Sequence, residues 1–227
     1  MVRVKICGIT NLEDARAAID LGADAVGFLT GKVHPSRSVF ITAEAAAAIV
    51  AKLPPFCACV LVTHLTSPQE IIQTAKIARV NTIQLHGDST PEEASMIRAQ
   101  LPNLKIYVAV HVVHNATTRD PREFENSVDG IVLDTAIRES GQVGGTGRTH
   151  DWTVSKHVVE TTALPVILAG GLTPENVSQA IQFVAPYAVD ANSGVTNPDG
   201  TKDRVRMKRF IDAAKADRLG RGNASSV

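Results

Sequence analysis

The chain has 227 residues, 44% hydrophobic and 20% charged, which is enough to bury one sizeable core. Basic and acidic residues balance at 23 each, so net charge gives no support for binding to nucleic acid or to an anionic membrane. Aromatic residues make up only 4%, which argues against a base-stacking surface. Neither a signal peptide nor an apolar run of roughly 20 residues is recognisable. We therefore expect a cytoplasmic protein with one large α/β domain.

Eight short apolar runs recur along the chain, and each is followed by a segment with helical features. Nearly continuous apolar runs are typical of strands buried on both faces, as in a parallel sheet covered by helices. The predicted strands span residues 3–7, 25–29, 58–62, 82–85, 105–110, 130–134, 165–169 and 187–191.

Capping residues mark the starts of most of the predicted helices. These residues are Asn11, Thr42, Ser67, Thr90, Thr173 and Asp203. Ser67 and Thr90 are each followed by proline and, three residues on, by glutamate, which predicts a capping box at both positions. Weaker patterns predict a fifth helix near 120–126 and a sixth at about 151–161.

Eight βα units predict a closed (β/α)8 TIM barrel over residues 1–216, with an open doubly wound sheet as the alternative. We expect the polar tail, residues 217–227, to be disordered.

In a barrel of this kind the active site lies at the carboxyl ends of the strands. Cys7 closes the first predicted strand, where it is either a small core residue or, as a thiolate, a base or nucleophile. Asp134 closes the sixth, where burying an acid is costly unless it works at a site or accepts bonds from loop amides. Both residues are candidates for catalysis.

Small residues cluster after the late strands, where barrels commonly bind phosphate through exposed backbone amides. The predicted phosphate-binding residues are Gly145, Gly170, Gly171, Ser193 and Gly194.

The loop after the second strand carries Lys32, His34 and Arg37, which either receive an anionic substrate group or form a solvated surface. Cys57 and Cys59 are interpreted as a buried structural pair, with a redox or metal role as the alternative. No metal-binding constellation is recognisable, so no metal is predicted.

Several motifs together resemble the phosphoribosylanthranilate isomerase family of tryptophan biosynthesis. They are KICGIT (5–10), QLHG (84–87), LDT (133–135), GGTG followed by DW (144–147 and 151–152), LAGGLTPENV (168–177), and VDANSGV followed by GTKD (189–195 and 200–203). The resemblance covers nearly the whole chain in the same order. It implies an Amadori rearrangement of a small phosphorylated sugar–arylamine, without a metal or organic cofactor.

The resemblance also implies roles for particular residues. Cys7 of KICGIT is expected to be the general base and Asp134 of LDT the general acid. Arg37 is expected to contact the anthranilate carboxylate, His86 to bind substrate, and Asp190 to lie near the substrate amine. The family includes monomers and dimers, so the chain is expected to be either a monomer or a homodimer.

Three segments depart from the family pattern: the loop around Arg37, the end of the third strand at 61–64, and the segment 192–196. The departures lie where the aromatic part of the substrate should bind. We therefore expect the chemistry to be retained, with a paralogous isomerase acting on another phosphoribosyl amine as the alternative. Retention of Cys7 and Asp134 argues against a second alternative, a phosphosugar-binding barrel without catalysis.

Overall fold

The computed structural model describes residues 1–31, 39–113, 115–137, 142–143 and 149–216. Within these residues, eight parallel strands pair in chain order, and the last strand pairs with the first. The strands are β1 (Arg3–Ile6), β2 (Ala25–Thr30), β3 (Ala58–Thr63), β4 (Thr82–Leu85), β5 (Lys105–Val113), β6 (Gly130–Ile137), β7 (Val166–Leu168) and β8 (Ala188–Ala191). The predicted closed barrel is confirmed, and the open-sheet alternative is wrong.

Seven α-helices of the described residues surround the barrel. They are α1 (Leu12–Asp20), α2 (Ala43–Val50), α3 (Pro68–Ala78), α4 (Pro91–Gln100), α5 (Trp152–Thr161), α6 (Val177–Val184) and α7 (Arg204–Lys215). Each helix buries an apolar stripe against the outer face of the strands, and this joins the helices to one large core.

Most of the predicted helix starts are confirmed, because capping depends on neighbouring residues only. The side chains of Asn11, Thr42, Ser67, Thr90 and Asp203 each accept a hydrogen bond from an amide in the first turn. At Thr90 both halves of the capping box form, with Glu93 accepting from the Thr90 amide at 2.8 Å.

Two helix predictions are wrong. The fifth predicted helix, 120–126, is only a short 3₁₀ turn at Pro121–Phe124, because the chain must return to β6 by Gly130. The helix predicted to follow Thr173 begins at Val177. The side chain of Asn176 instead bonds the Thr173 amide at 2.8 Å and the Gly171 carbonyl at 3.0 Å, which closes a turn ahead of the helix.

Several strands also differ from their predicted lengths. β5 and β6 run three residues further than predicted, and their ends pair with the short antiparallel segments Ala116–Thr117 and Gln142–Val143. β1 ends at Ile6, so Cys7 stands just past the strand, and β7 and β8 are shorter than predicted. Extending β5 and β6 raises one side of the barrel mouth.

Barrel closure sets which side chains become neighbours inside the barrel. The register aligns Lys5 of β1 with Asp190 of β8, and His111 of β5 with Asp134 of β6. Aligned residues of adjacent parallel strands point to the same face of the sheet.

No helix of the described residues is long and apolar enough to cross a membrane. The predicted tail, 217–227, lies outside the described residues, so the 1–216 boundary stays a prediction.

Candidate active site

A pocket opens at the carboxyl ends of the strands, with an empty volume of about 600 Å³ that includes its solvent-open mouth. Both predicted catalytic residues, Cys7 and Asp134, line it, as do the predicted binding residues His86 and Asp190. The remaining lining residues are Leu29, Val62, His64, Gln84, Ala169, Gly170, Gly171, Leu172, Asn192 and Ser193. The structure therefore brings residues from distant parts of the sequence together at one site.

Cys7 is buried at the end of β1, and its amide donates to the Ala191 carbonyl at 2.8 Å. The space for its side chain comes from Gly27 on β2, where a Cβ atom would lie 2.9 Å from the Cys7 sulfur. Burial raises the pKa of the Cys7 thiol, while the positive charges of Lys5 and Lys202 oppose that rise. The ionisation of this thiol therefore depends on its charged neighbours.

Lys5 lies beside Cys7 and forms a buried ion pair with Asp190, with 2.6 Å between Nζ and Oδ2. Burial by itself would lower the pKa of Lys5, but the charge of Asp190 and hydrogen bonds to Asp190 and Cys7 raise it overall. The other carboxylate oxygen of Asp190, Oδ1, is buried and has no hydrogen-bond partner among the described residues. Because Asp190 lines the pocket, that oxygen is suited to accept a donor from a ligand.

Asp134 lies on β6 and lines the same pocket as Cys7. Its Oδ1 accepts the Thr135 amide at 2.7 Å, and its Oδ2 lies 3.5 Å from His86 Nε2. The hydrogen bond from the Thr135 amide holds the carboxyl group in place beside His86.

Three histidine rings form a ladder across the pocket wall. The ring centroids of His64 and His86 lie 4.7 Å apart and those of His86 and His111 lie 5.1 Å apart, both edge to face. Gln84 contacts His86 Nδ1 at 3.1 Å, and His111 Nε2 lies 3.5 Å from His86 Nε2. Burial lowers the pKa of His111 to about 4, so this ring is neutral at physiological pH. The ladder fixes the ring of His86 beside Asp134.

A second chain of hydrogen bonds lies next to the acid. Thr135 Oγ1 contacts His150 Nδ1 at 3.0 Å, and His150 Nε2 contacts Ser155 Oγ at 2.5 Å. Burial lowers the pKa of His150 to about 4. The chain ties the start of α5 to the strand that carries Asp134.

Three of the residues predicted to bind phosphate line the pocket: Gly170, Gly171 and Ser193. Gly170 has a φ of 82°, and a Cβ atom there would lie 2.2 Å from Thr135 Oγ1, so only glycine is accommodated. A Cβ atom on Gly194 would lie 2.1 Å from the Leu172 carbonyl oxygen. These glycines let the loops after β7 and β8 approach each other and expose backbone at the pocket rim.

Two predicted site residues, Arg37 and Gly145, lie outside the described residues, as do Lys32 and His34. Cys57 and Cys59 are buried free thiols in the main core, away from the pocket lining, which agrees with a structural pair. Among the residues that the structure describes, no group of three or more histidine, cysteine or acidic side chains is arranged to hold a metal ion.

Several residues in and around the site were not predicted from the sequence: Lys5, His64, Gln84, His111, His150 and Lys202. A signal existed for Lys5, since a lysine within the apolar run RVKIC must either be paired or point into a polar site. Lys202 stood in the quoted GTKD motif without an assigned role. The histidines gave no local signal, because their neighbours come from other strands.

Comparison with known proteins identifies the family. The family model for N-(5'-phosphoribosyl)anthranilate isomerase matches residues 4–213. N-(5'-phosphoribosyl)anthranilate isomerase 2 of Methanosarcina mazei is 42% identical over 216 residues, covering 95% of both chains.

Solved structures agree with this comparison. One is a phosphoribosyl anthranilate isomerase in complex with reduced 1-(o-carboxyphenylamino)-1-deoxyribulose 5-phosphate, 36% identical, with a TM-score of 0.79 and coverage of 95% of this chain and 100% of that one. Another contains monomers generated from the dimeric isomerase of Thermotoga maritima, 35% identical, with a TM-score of 0.80 and the same coverage. This chain belongs to the N-(5'-phosphoribosyl)anthranilate isomerase family.

Proposed function

We propose that this chain is an isomerase that converts N-(5'-phosphoribosyl)anthranilate to 1-(2-carboxyphenylamino)-1-deoxyribulose 5-phosphate in tryptophan biosynthesis. The observation that carries the proposal is the placement of Cys7 and Asp134 in one pocket, with a glycine-lined rim beside them. A thiolate and a carboxylic acid in one pocket are the pair that an Amadori rearrangement requires.

The first step is ring opening, in which Asp134 is the acid. Its Oδ2, the oxygen not bonded to the Thr135 amide, gives a proton to the furanose ring oxygen. The bond from that oxygen to the sugar C1 breaks, and the nitrogen lone pair forms a protonated imine, because the nitrogen keeps its hydrogen. His86, 3.5 Å from Oδ2, orients the carboxyl group for this transfer.

The second step is proton transfer at carbon, in which Cys7 is the base. The thiolate removes the proton from the sugar C2, and the electrons move to the imine nitrogen to give an enolamine. Because substrate and product are isomers, both groups must recover their starting protonation states. The Cys7 thiol returns its proton to C1, and the Asp134 carboxylate takes the proton of the C2 hydroxyl group as the ketone forms.

The pocket has two chemically distinct ends that orient the substrate. We assign the phosphate to the rim of Gly170, Gly171 and Ser193, together with Gly194 and the predicted Gly145. We assign the aromatic ring to the wall of Leu29, Val62 and His64. Leu29 lies shortly before Arg37 in the sequence. Asp190 Oδ1, free of other partners among the described residues, accepts the hydrogen of the substrate amine.

The test is turnover of freshly prepared phosphoribosylanthranilate by the purified chain, followed by the loss of substrate fluorescence. Cys7→Ser and Asp134→Asn are each expected to lower kcat by at least about a hundredfold, since each removes one acid–base group. Circular dichroism and thermal melting show whether these variants keep the native fold.

Other outcomes would select the alternatives. A folded chain that binds product without turning over the substrate would be a phosphosugar-binding barrel. A chain active only on another N-phosphoribosyl arylamine would be the paralogous isomerase. Near-native turnover by Cys7→Ala would show that another group is the base.

We place the enzyme in the cytoplasm, because its three cysteines are free thiols, as is usual in a reducing compartment. Monomer and homodimer are the two candidate assemblies, and the dimeric relative from Thermotoga maritima supports the second. Light scattering of the purified chain distinguishes them.

A further inference from the structure

Four ionisable side chains are buried together at one side of the pocket, and each is at most 8% exposed: Lys5, Cys7, Asp190 and Lys202. They come from β1, from β8 and from the loop that follows β8. Burying charged groups is costly unless their charges are balanced. The charges present in this cluster therefore indicate which protonation state of Cys7 is favoured.

Lys5 is close to the Cys7 sulfur. A Cβ atom placed on Gly27 would lie 2.9 Å from the sulfur and 3.2 Å from Lys5 Nζ, so both atoms occupy the space that this glycine leaves open. However, Lys5 also bonds Asp190 at 2.6 Å, which already balances its charge.

Among the residues that the structure describes, no carboxylate forms an ion pair with the Lys202 side chain. Its ammonium group donates to two neutral oxygens, Asn192 Oδ1 at 3.0 Å and Thr196 Oγ1 at 2.7 Å. The same Asn192 oxygen would lie 2.4 Å from a Cβ atom on Gly8, the residue next to Cys7. Lys202 is therefore hydrogen-bonded to a side chain, Asn192, that packs against the backbone next to Cys7.

The charges of the cluster do not balance while Cys7 is a thiol. Within the cluster, two ammonium groups then face one carboxylate, Asp190. Outside it, Asp14 also acts on Lys202, and its carboxylate accepts a hydrogen bond from the Lys202 backbone amide at 3.0 Å. Ionisation of Cys7 makes two positive and two negative charges. Consistent with a missing partner, burial lowers the pKa of Lys202 to about 8, and the charge of Cys7 is the largest influence that opposes this.

We propose that Lys202, with Lys5, is a positioning residue that holds Cys7 as a thiolate, so that the base of this enzyme is a buried thiolate–ammonium pair. This inference rests on the proposed role of Cys7. Asp190 has the opposite effect, because its negative charge disfavours the thiolate.

Hydrogen bonding alone does not account for a lysine at this position. A neutral donor would also tie Asn192 to Thr196, without the cost of a buried charge. Only the ammonium charge acts on the thiol, so the experiment must separate charge from packing.

The experiment measures the rate at which iodoacetamide alkylates Cys7 as a function of pH, by mass spectrometry of the tryptic peptide 6–16, whose only cysteine is Cys7. Lys202→Met should slow alkylation about tenfold at a pH below the thiol pKa, since loss of a nearby buried charge shifts the pKa by about one unit. Asp190→Asn should accelerate it by a similar factor. Lys208→Met, on an exposed part of α7, is the control and should leave the profile unchanged.

The opposite signs exclude a simple loosening of the fold, which would expose Cys7 and accelerate alkylation in both variants. If Lys202→Met does not fold, Lys202→Gln and Asp190→Asn decide the question by the same criterion. An unchanged profile in the lysine variant, or changes of the same sign in both, would overturn the inference. The readout needs no turnover, so it stays separate from the Cys7→Ser test of the base itself.

Discussion

The stability of this protein should fall below neutral pH for a reason that can be traced to His111. Its ring is only 6% exposed, and burial together with the positive charge of Arg119 lowers its pKa to about 4. In the unfolded chain the ring has its ordinary pKa of about 6.5. The unfolded state therefore binds more protons between these two values, so stability rises with pH through this window and is lost as the pH falls.

The size of the effect follows from the two pKa values. Between about pH 7.5 and about pH 5, an unfolded-state pKa of about 6.5 against a folded-state value of about 4 costs about 2 kcal/mol of unfolding free energy. The full difference, reached below both values, is about 3 kcal/mol.

Urea denaturation at both pH values, for the wild type and for His111→Gln, measures this contribution. The glutamine variant keeps a polar side chain but does not titrate, so its stability should fall by about 2 kcal/mol less than that of the wild type. His157→Gln, on the exposed face of α5, is the matched control and should follow the wild type. Parallel pH dependence in wild type and His111→Gln would show that His111 is not held neutral by burial.

Three further predictions test other contacts. Gly170→Ala should lose several kcal/mol of stability and most activity, because its Cβ would overlap Thr135, the residue next to Asp134. Gly22→Ala is the control: Gly22 is also at positive φ, but no atom would lie nearer than 3.7 Å to the added Cβ, so the cost should be only about 1 kcal/mol. Thermal melts and kcat compare the two. Thr135→Val should lose about 1–3 kcal/mol in urea, since His150 Nδ1 is left unpaired, and Thr135→Ser should restore it. Thr90→Ala removes a helix cap far from the pocket; it should cost about 1 kcal/mol in urea and leave kcat unchanged.

Much of the fold could be predicted from local sequence. Apolar runs identified all eight barrel strands, and caps such as Asn11 and Thr90 identified helix starts, because both signals depend on residues within one or two turns. The helix predicted after Thr173 began three residues late. The side chain of Asn176 bonds the Gly171 carbonyl, and that bond exists only once the loop after β7 has folded.

The candidate site could be predicted in part. Position at a strand end selected Cys7 and Asp134, and both line the pocket. The rule that ligands bind at this end of a barrel made that possible, since it depends on strand order alone. The histidine ladder could not be found in this way, because His64, His86 and His111 become neighbours only through the packing of β3, β4 and β5.

Local sequence patterns were therefore enough to predict the barrel, the end of the barrel at which a site should lie, and two residues, Cys7 and Asp134, that line a pocket there. The neighbours of these two side chains depend on how the strands pack. Lys5 meets Asp190 because the register between the first and last strands sets them side by side, and the loop after β8 brings Lys202 to the same cluster. These contacts span almost the whole chain. Closure of the barrel creates these contacts, and no local pattern of residues specifies which side chains that closure brings together.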